Sequence, residues 1–256
     1  VVGGEEMDPP QFGNVQISIK PKNGTFVSDF NKTQILSKLR QFTVSGINQK
    51  ITDLKILYVE LNSSVYYNYS QVSSADTLKT SVTNSLQKYS EPLDLNKFGG
   101  RVRYSKIQQV IDNTDTAITS NITKVIIRRD LKPVLNKFAQ YELCYGNQFH
   151  VNAKGLNIKS TGFKISGETD TVYITDVPNA DLKSGNLSIV KQVSDETRVI
   201  IKSAGTVDYL KGEIILGTIN ITSTSLSNGL IEIQAFPESN DVVGLRDLYV
   251  SLNISK

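Results

Sequence analysis

The chain has 256 residues, of which 39% are hydrophobic and 21% charged, and its 28 Lys and Arg against 25 Asp and Glu give a formal net charge of +3. This composition is globular, not collagenous, fibrous or broadly disordered, and the basic excess is too small for the electrostatic footprint of a nucleic-acid binder. No apolar run reaches the roughly 18 residues that cross a bilayer, and a single cysteine, Cys144, excludes an intrachain disulfide framework.

The start VVGGEEMDPP carries neither an initiator Met nor a signal-peptide pattern, and we expect it to follow a longer upstream part. Its Gly and Pro content predicts a lead-in loop over residues 1–13. In NVQISIKP, Val15, Ile17 and Ile19 alternate with polar residues, the period-two pattern of a strand with one face in the core. Beyond the turn residues of PKNG, Asn31 followed by Gln34 has the spacing of a helix cap, and Ile35, Leu36, Leu39 and Phe42 recur at helical spacing.

DLKILYVEL and SVYYNYSQV, separated by Asn62–Ser64, are expected as two strands able to pair as a hairpin. A helix entered from Asp76 places Leu78, Val82, Leu86 and Tyr89 on one face and stops before Pro92. A further helix starting at Ser105, with Gln108 reaching back, buries Ile107, Val110 and Ile111. NITKVIIRR closes the unit as a strand, with Arg128 and Arg129 expected as a solvated strand end, like Arg101 and Arg103.

The predicted fold is α+β: a split βαββααβ sandwich domain over residues 1–131, a linker over 132–147 and a small all-β domain over 148–256. The last rests on seven short segments with turn signals between them: GFKIS, TVYITDV, NLSIVKQV, RVIIKSA, EIILGTINIT, LIEIQAF and LYVSLNI. Lys211-Gly212 fits a hairpin turn, where glycine supplies the positive φ.

Residues able to do chemistry are few. Cys144 sits in the apolar YELCY without the basic company that activates a thiol, and the single histidine, His150, stands six residues away with no active-site context. One Cys and one His cannot make a structural zinc site. The carboxylate pairs Glu5/Glu6, Asp112/Asp115 and Asp195/Glu196 read as solvated loop or turn residues, not as a glycosidase pair. Gly3-Gly4 and Gly99-Gly100 lack the residues of a phosphate loop. Eight N-x-Ser/Thr triplets, starting at Asn23, Asn31, Asn62, Asn68, Asn121, Asn186, Asn220 and Asn253, follow from a composition rich in Asn, Ser and Thr.

One stretch points towards binding. VYYNYS places Tyr67 and Tyr69 on one strand face and Tyr66 on the other, and tyrosine suits interfaces because it offers rigid contact area with a polar tip. Tyr66, Tyr67 and Tyr69 are therefore the candidate interface residues, with a strand covered on both sides as the plain alternative.

The segment FGGRVRYSKIQQVIDNTDTAITSNITKVIIRRDL resembles the J-like baseplate wedge family of contractile-tailed phages. EEMDPPQFGNVQISIKP, STGFKIS, VYITDV and GTVDYLKGEIIL are similar to its T-even branch. The likeness spans nearly the whole chain and rests on structural punctuation, with no catalytic residue in it. It implies the C-terminal portion of a virion protein of the tail baseplate, assembled in the host cytoplasm. Such a protein associates with itself and with other wedge proteins in a ring around the hub, and the ring rearranges when the sheath contracts. No enzyme, cofactor, metal, nucleic acid, membrane or small-molecule substrate is expected.

Two other classes compete. A carbohydrate- or receptor-binding module would line up Tyr145, Phe149 or Tyr173 in an open groove, in a chain that has no Trp. A cell-wall hydrolase would need two carboxylates facing one cleft.

Overall fold

The computed structural model describes residues 1–7, 9–22, 24, 26–91, 95–193 and 196–254. Asn23, Pro92 and Asp195, which figured in the turn, helix-end and sequon readings, lie outside them.

Residues 1–52 form a small sheet with one helix. Strand β1 (Val2–Gly3) pairs antiparallel with β2 (Asn14–Ser18), and β2 pairs parallel with β3 (Asn48–Thr52), the crossover being helix α1 (Asp29–Arg40). Ser28 caps α1 by accepting from the Asn31 N–H, so Asn31 lies inside the first turn and is not the cap. All five residues of β2 are half-exposed, contrary to the expected core face. Ile35, Leu36 and Leu39 share one side of α1 but none is buried, and the helix ends before Phe42.

The next unit is larger and has a true core. Strand β4 (Lys55–Tyr67), helix α2 (Ala75–Tyr89), β5 (Arg101–Val102), helix α3 (Tyr104–Asp112) and β6 (Ile118–Leu131) follow in order. β4 runs unbroken through Asn62–Ser64 and pairs antiparallel with β6 along almost its whole length, so the expected hairpin is one long strand. Three polar residues without Gly or Pro supply no turn, and each is paired in unbroken register with β6, Asn62 with Lys124, Ser63 with Thr123 and Ser64 with Ile122. Ser74 caps α2 by accepting from the Thr77 N–H, and Leu78, Val82 and Leu86 are buried at the expected spacing. Ile107 and Ile111 of α3 are buried as well.

Beyond Leu131 the chain runs for about a hundred residues before its next long strand in this sheet, returning to it only through two residues, Lys159 and Ser160. It forms β7 (Phe138–Cys144), β8 (Lys159–Ser160), β9 (Phe163–Ile165), β10 (Tyr173–Pro178), β11 (Ser184–Val193), β12 (Glu196–Asp208) and β13 (Glu213–Thr224). β7 therefore occupies the stretch expected as a linker. A second sheet has the order β10-β11-β12-β13-β7, with β9 also on β13. The turn from β12 to β13 is the expected one: Asp208 faces Glu213 and Gly212 has φ +66°.

The chain then returns. β14 (Ile231–Ala235), β15 (Val242–Val243) and β16 (Leu248–Asn253) complete the earlier unit, giving a five-stranded sheet β16-β4-β6-β14-β8 and a two-stranded β15-β5 ribbon. β14 lies antiparallel to β6 and β16 parallel to β4. The boundaries at 131 and 148 thus cut across a sheet, and the β-rich segment is an insertion between two neighbouring strands. Helices and strands mix as expected for α+β; the βαββααβ order does not describe the arrangement.

One face of the five-stranded sheet carries Leu57, Val59, Val125, Ile127, Ile231, Ile233, Leu248 and Val250, all buried, in one core cluster with residues of α2 and α3. The same cluster continues into the second sheet through Tyr145, Phe149, Leu187, Ile214 and Ile221. The Tyr145 hydroxyl donates to the Ile233 carbonyl at 2.8 Å, tying the two sheets at the centre.

Candidate assembly surfaces

The residues most able to do chemistry are engaged structurally. Cys144 is half-buried, and burial pushes its thiol up from the ordinary value, away from the thiolate a nucleophile needs. His150 is exposed and its Nδ1 lies 2.9 Å from Glu238 Oε2. Asp112 accepts from the Asn121 amide at 2.7 Å and Asp115 from the Ala117 N–H at 2.8 Å. Glu6 pairs with Arg246. Tyr145 and Phe149 are core residues in edge-to-face contact at 5.0 Å, so they line no open groove. Among the described residues no group of three or more His, Cys, Asp or Glu is placed to hold a metal ion.

Arg128 and Arg129 correct the expectation of a solvated strand end, since both are buried. Successive strand residues point to opposite faces, so the two meet different surroundings. Arg129 turns towards the core, where its Nη1 donates to the Cys144 carbonyl and burial lowers its pKa from the ordinary value. Arg128 faces the other way, 2.7 Å from Glu60, 3.0 Å from Asp130 and 2.9 Å from Glu232, with its guanidinium over the Tyr58 ring. Gln234 donates to Glu60 at 2.8 Å and closes the cluster. This network spans β4, β6 and β14.

The remaining features are surfaces. Among the described residues of 1–52 no apolar side chain is buried, and Phe12 (81%), Phe26 (74%), Phe30 (72%) and Phe42 (84%) stand largely in solvent. Phe30 is on the side of α1 opposite Leu39. Periodicity gives no sign of the exposure of these phenylalanines, since only Phe30 lies within α1, on the side away from Ile35, Leu36 and Leu39.

The tyrosines separate. β4 ends at Tyr67, and Tyr69 sits in the following 3-10 turn, so Tyr67 and Tyr69 do not share a strand face. Tyr66 is exposed on the polar sheet face near Ile122, and Tyr69 is 84% exposed. Tyr67 instead lines a groove of about 370 Å³ between β4 and α2, together with Leu61, Val65, Leu78 and Val82.

Comparison with known families gives two matches. The model described as baseplate structural protein gp6, C-terminal domain I, covers residues 1–52, and that of C-terminal domain III of the same protein covers residues 55–130. Together they span half of the chain, and they meet where the structure passes from the small sheet into β4. A search of curated proteins found no match.

Proposed function

This chain belongs to the family of baseplate structural protein gp6, as a C-terminal portion, and we propose that it is a structural subunit of the wedge in a contractile phage tail. In this reading it sits in the virion's tail baseplate, associates with itself and binds other wedge proteins. The copies form a ring around the hub, and the ring rearranges when the sheath contracts.

The observation that carries the reading is the surface of residues 1–52. Removing a large apolar side chain from water contributes on the order of 1.5–3 kcal/mol, and here four phenylalanines realise little of it within the chain. Four large aromatic side chains left in water by a unit of about fifty residues are free to be covered by another protein. Tyr66 and Tyr69 add exposed aromatic area on the neighbouring unit.

Sedimentation velocity at rising concentration tests self-association. The account expects the sedimentation coefficient to rise as copies join; a chain that stays monomeric at every concentration refutes that part of it.

A further inference from the structure

Two strands in this molecule outrun their neighbours. β4 is accompanied by β6 as far as Tyr67, but β16 runs beside it only from Lys55 to Glu60. Among the described residues, no strand lies on the other edge of β4 from Ser63 to Tyr67. β12 is accompanied by β11 throughout, but β13 joins it only from Gly205 to Asp208, so among the described residues Glu196–Ala204 has an open edge.

Open edges present unpaired N–H and C=O groups that template pairing with another chain, and monomeric proteins guard them with charge or proline. The β12 edge is guarded in this way, with Glu196, Arg198 and Lys202 along it. The β4 edge is not. Ser63-Ser64-Val65-Tyr66-Tyr67 contains no charged residue and no proline, and the apolar groove against α2 lies directly beneath it.

We propose that the Ser63–Tyr67 edge of β4 pairs antiparallel with the same edge of a second copy, joining two five-stranded sheets into one. The proposal rests on the self-association reading above and specifies its surface. A two-fold contact needs a patch that complements itself. Antiparallel pairing centred on Val65 satisfies this: Val65 faces its own copy, Ser64 faces Tyr66 and Ser63 faces Tyr67. Val65 and Tyr67 from both copies then point to the groove side, so the two grooves merge beneath the joined sheet and lose their water. No charged side chain is placed opposite a like charge.

Directly opposed residues in an antiparallel pair have Cβ atoms about 4.5–5.5 Å apart, close to the span of a disulfide. The experiment is Val65→Cys in the full chain, with Cys144→Ala to remove the native thiol, oxidised under mild conditions. We expect a covalent dimer, and no comparable cross-linking from Val199→Cys on the guarded edge. Val65→Lys, which sets two ammonium groups against each other, is expected to weaken the dimer at least tenfold with its circular dichroism unchanged. A dimer that survives Val65→Lys at full affinity and gives no Val65→Cys cross-link overturns the edge pairing while leaving self-association standing. A chain that never dimerises overturns both.

Discussion

Arg128 shows how far a residue's role can depend on distant sequence. Its three carboxylate partners come from β4, β6 and β14, and Glu60 alone is 68 residues away. A doublet of arginines at the end of an apolar run looks like a solvated terminus because the sequence nearby offers only Asp130, while Glu60 and Glu232 arrive from other strands. The fold supplies the neutralising groups, on one face for Arg128 and, for Arg129, a core carbonyl on the other. Removing Arg128 would leave Glu60, Asp130 and Glu232 crowded in a site that excludes most water, and breaking a buried ion pair on one side costs about 3–5 kcal/mol. Arg128→Met should therefore lower the urea midpoint by that equivalent, while Arg103→Met, on an exposed residue, should leave it within about 0.5 kcal/mol. Equal midpoints for the two variants would show that the cluster adds nothing to stability. The chemistry-poor reading of Cys144 was more legible, because a thiol's activation depends on company that its own segment lacks.

At the level of elements, periodicity located most strands and helices but not their partners. LIEIQAF and LYVSLNI read as strands and are strands, yet they belong to the sheet of β4 and β6. Alternation reports that one face is covered, not which sheet covers it. β7 was missed because Pro133 and Gly146 flank it and suggested irregular chain. The cap of α3 is a similar case. Ser105 has the right chemistry in the right place, but the helix begins one residue earlier, and its N-cap Arg103 makes no side-chain bond. Asp241 instead accepts from the Tyr104 N–H at 2.8 Å, held there by the pairing of β15 with β5. A side-chain cap is worth roughly 1 kcal/mol, so Asp241→Ala should destabilise the protein by about that much in thermal melting, and Ser105→Ala should have no measurable effect. The opposite ranking would restore Ser105 as the cap.

On the scale of the whole molecule, a single core links two sheets, while residues 1–52 stand beside it without a core of their own. That division is hard to see in sequence. β2 alternates and α1 carries apolar residues at helical spacing, so both look like parts of a core. What distinguishes them is that the chain has nothing to put against them. A strand with aromatics on both faces has a face to cover, and the structure gives Tyr66, Tyr67 and Tyr69 three different surroundings, with Tyr67 lining a groove. The four phenylalanines of the small unit are left exposed by the chain, and we assign their cover to a neighbouring subunit.

Cryo-electron microscopy of the baseplate that contains this chain tests that assignment most directly. The account predicts density for the two-sheet body and the small sheet within the wedge, with Phe12, Phe26, Phe30 and Phe42 covered by an adjoining subunit. A baseplate map in which those four side chains face solvent, or in which the fold has no place, would contradict it.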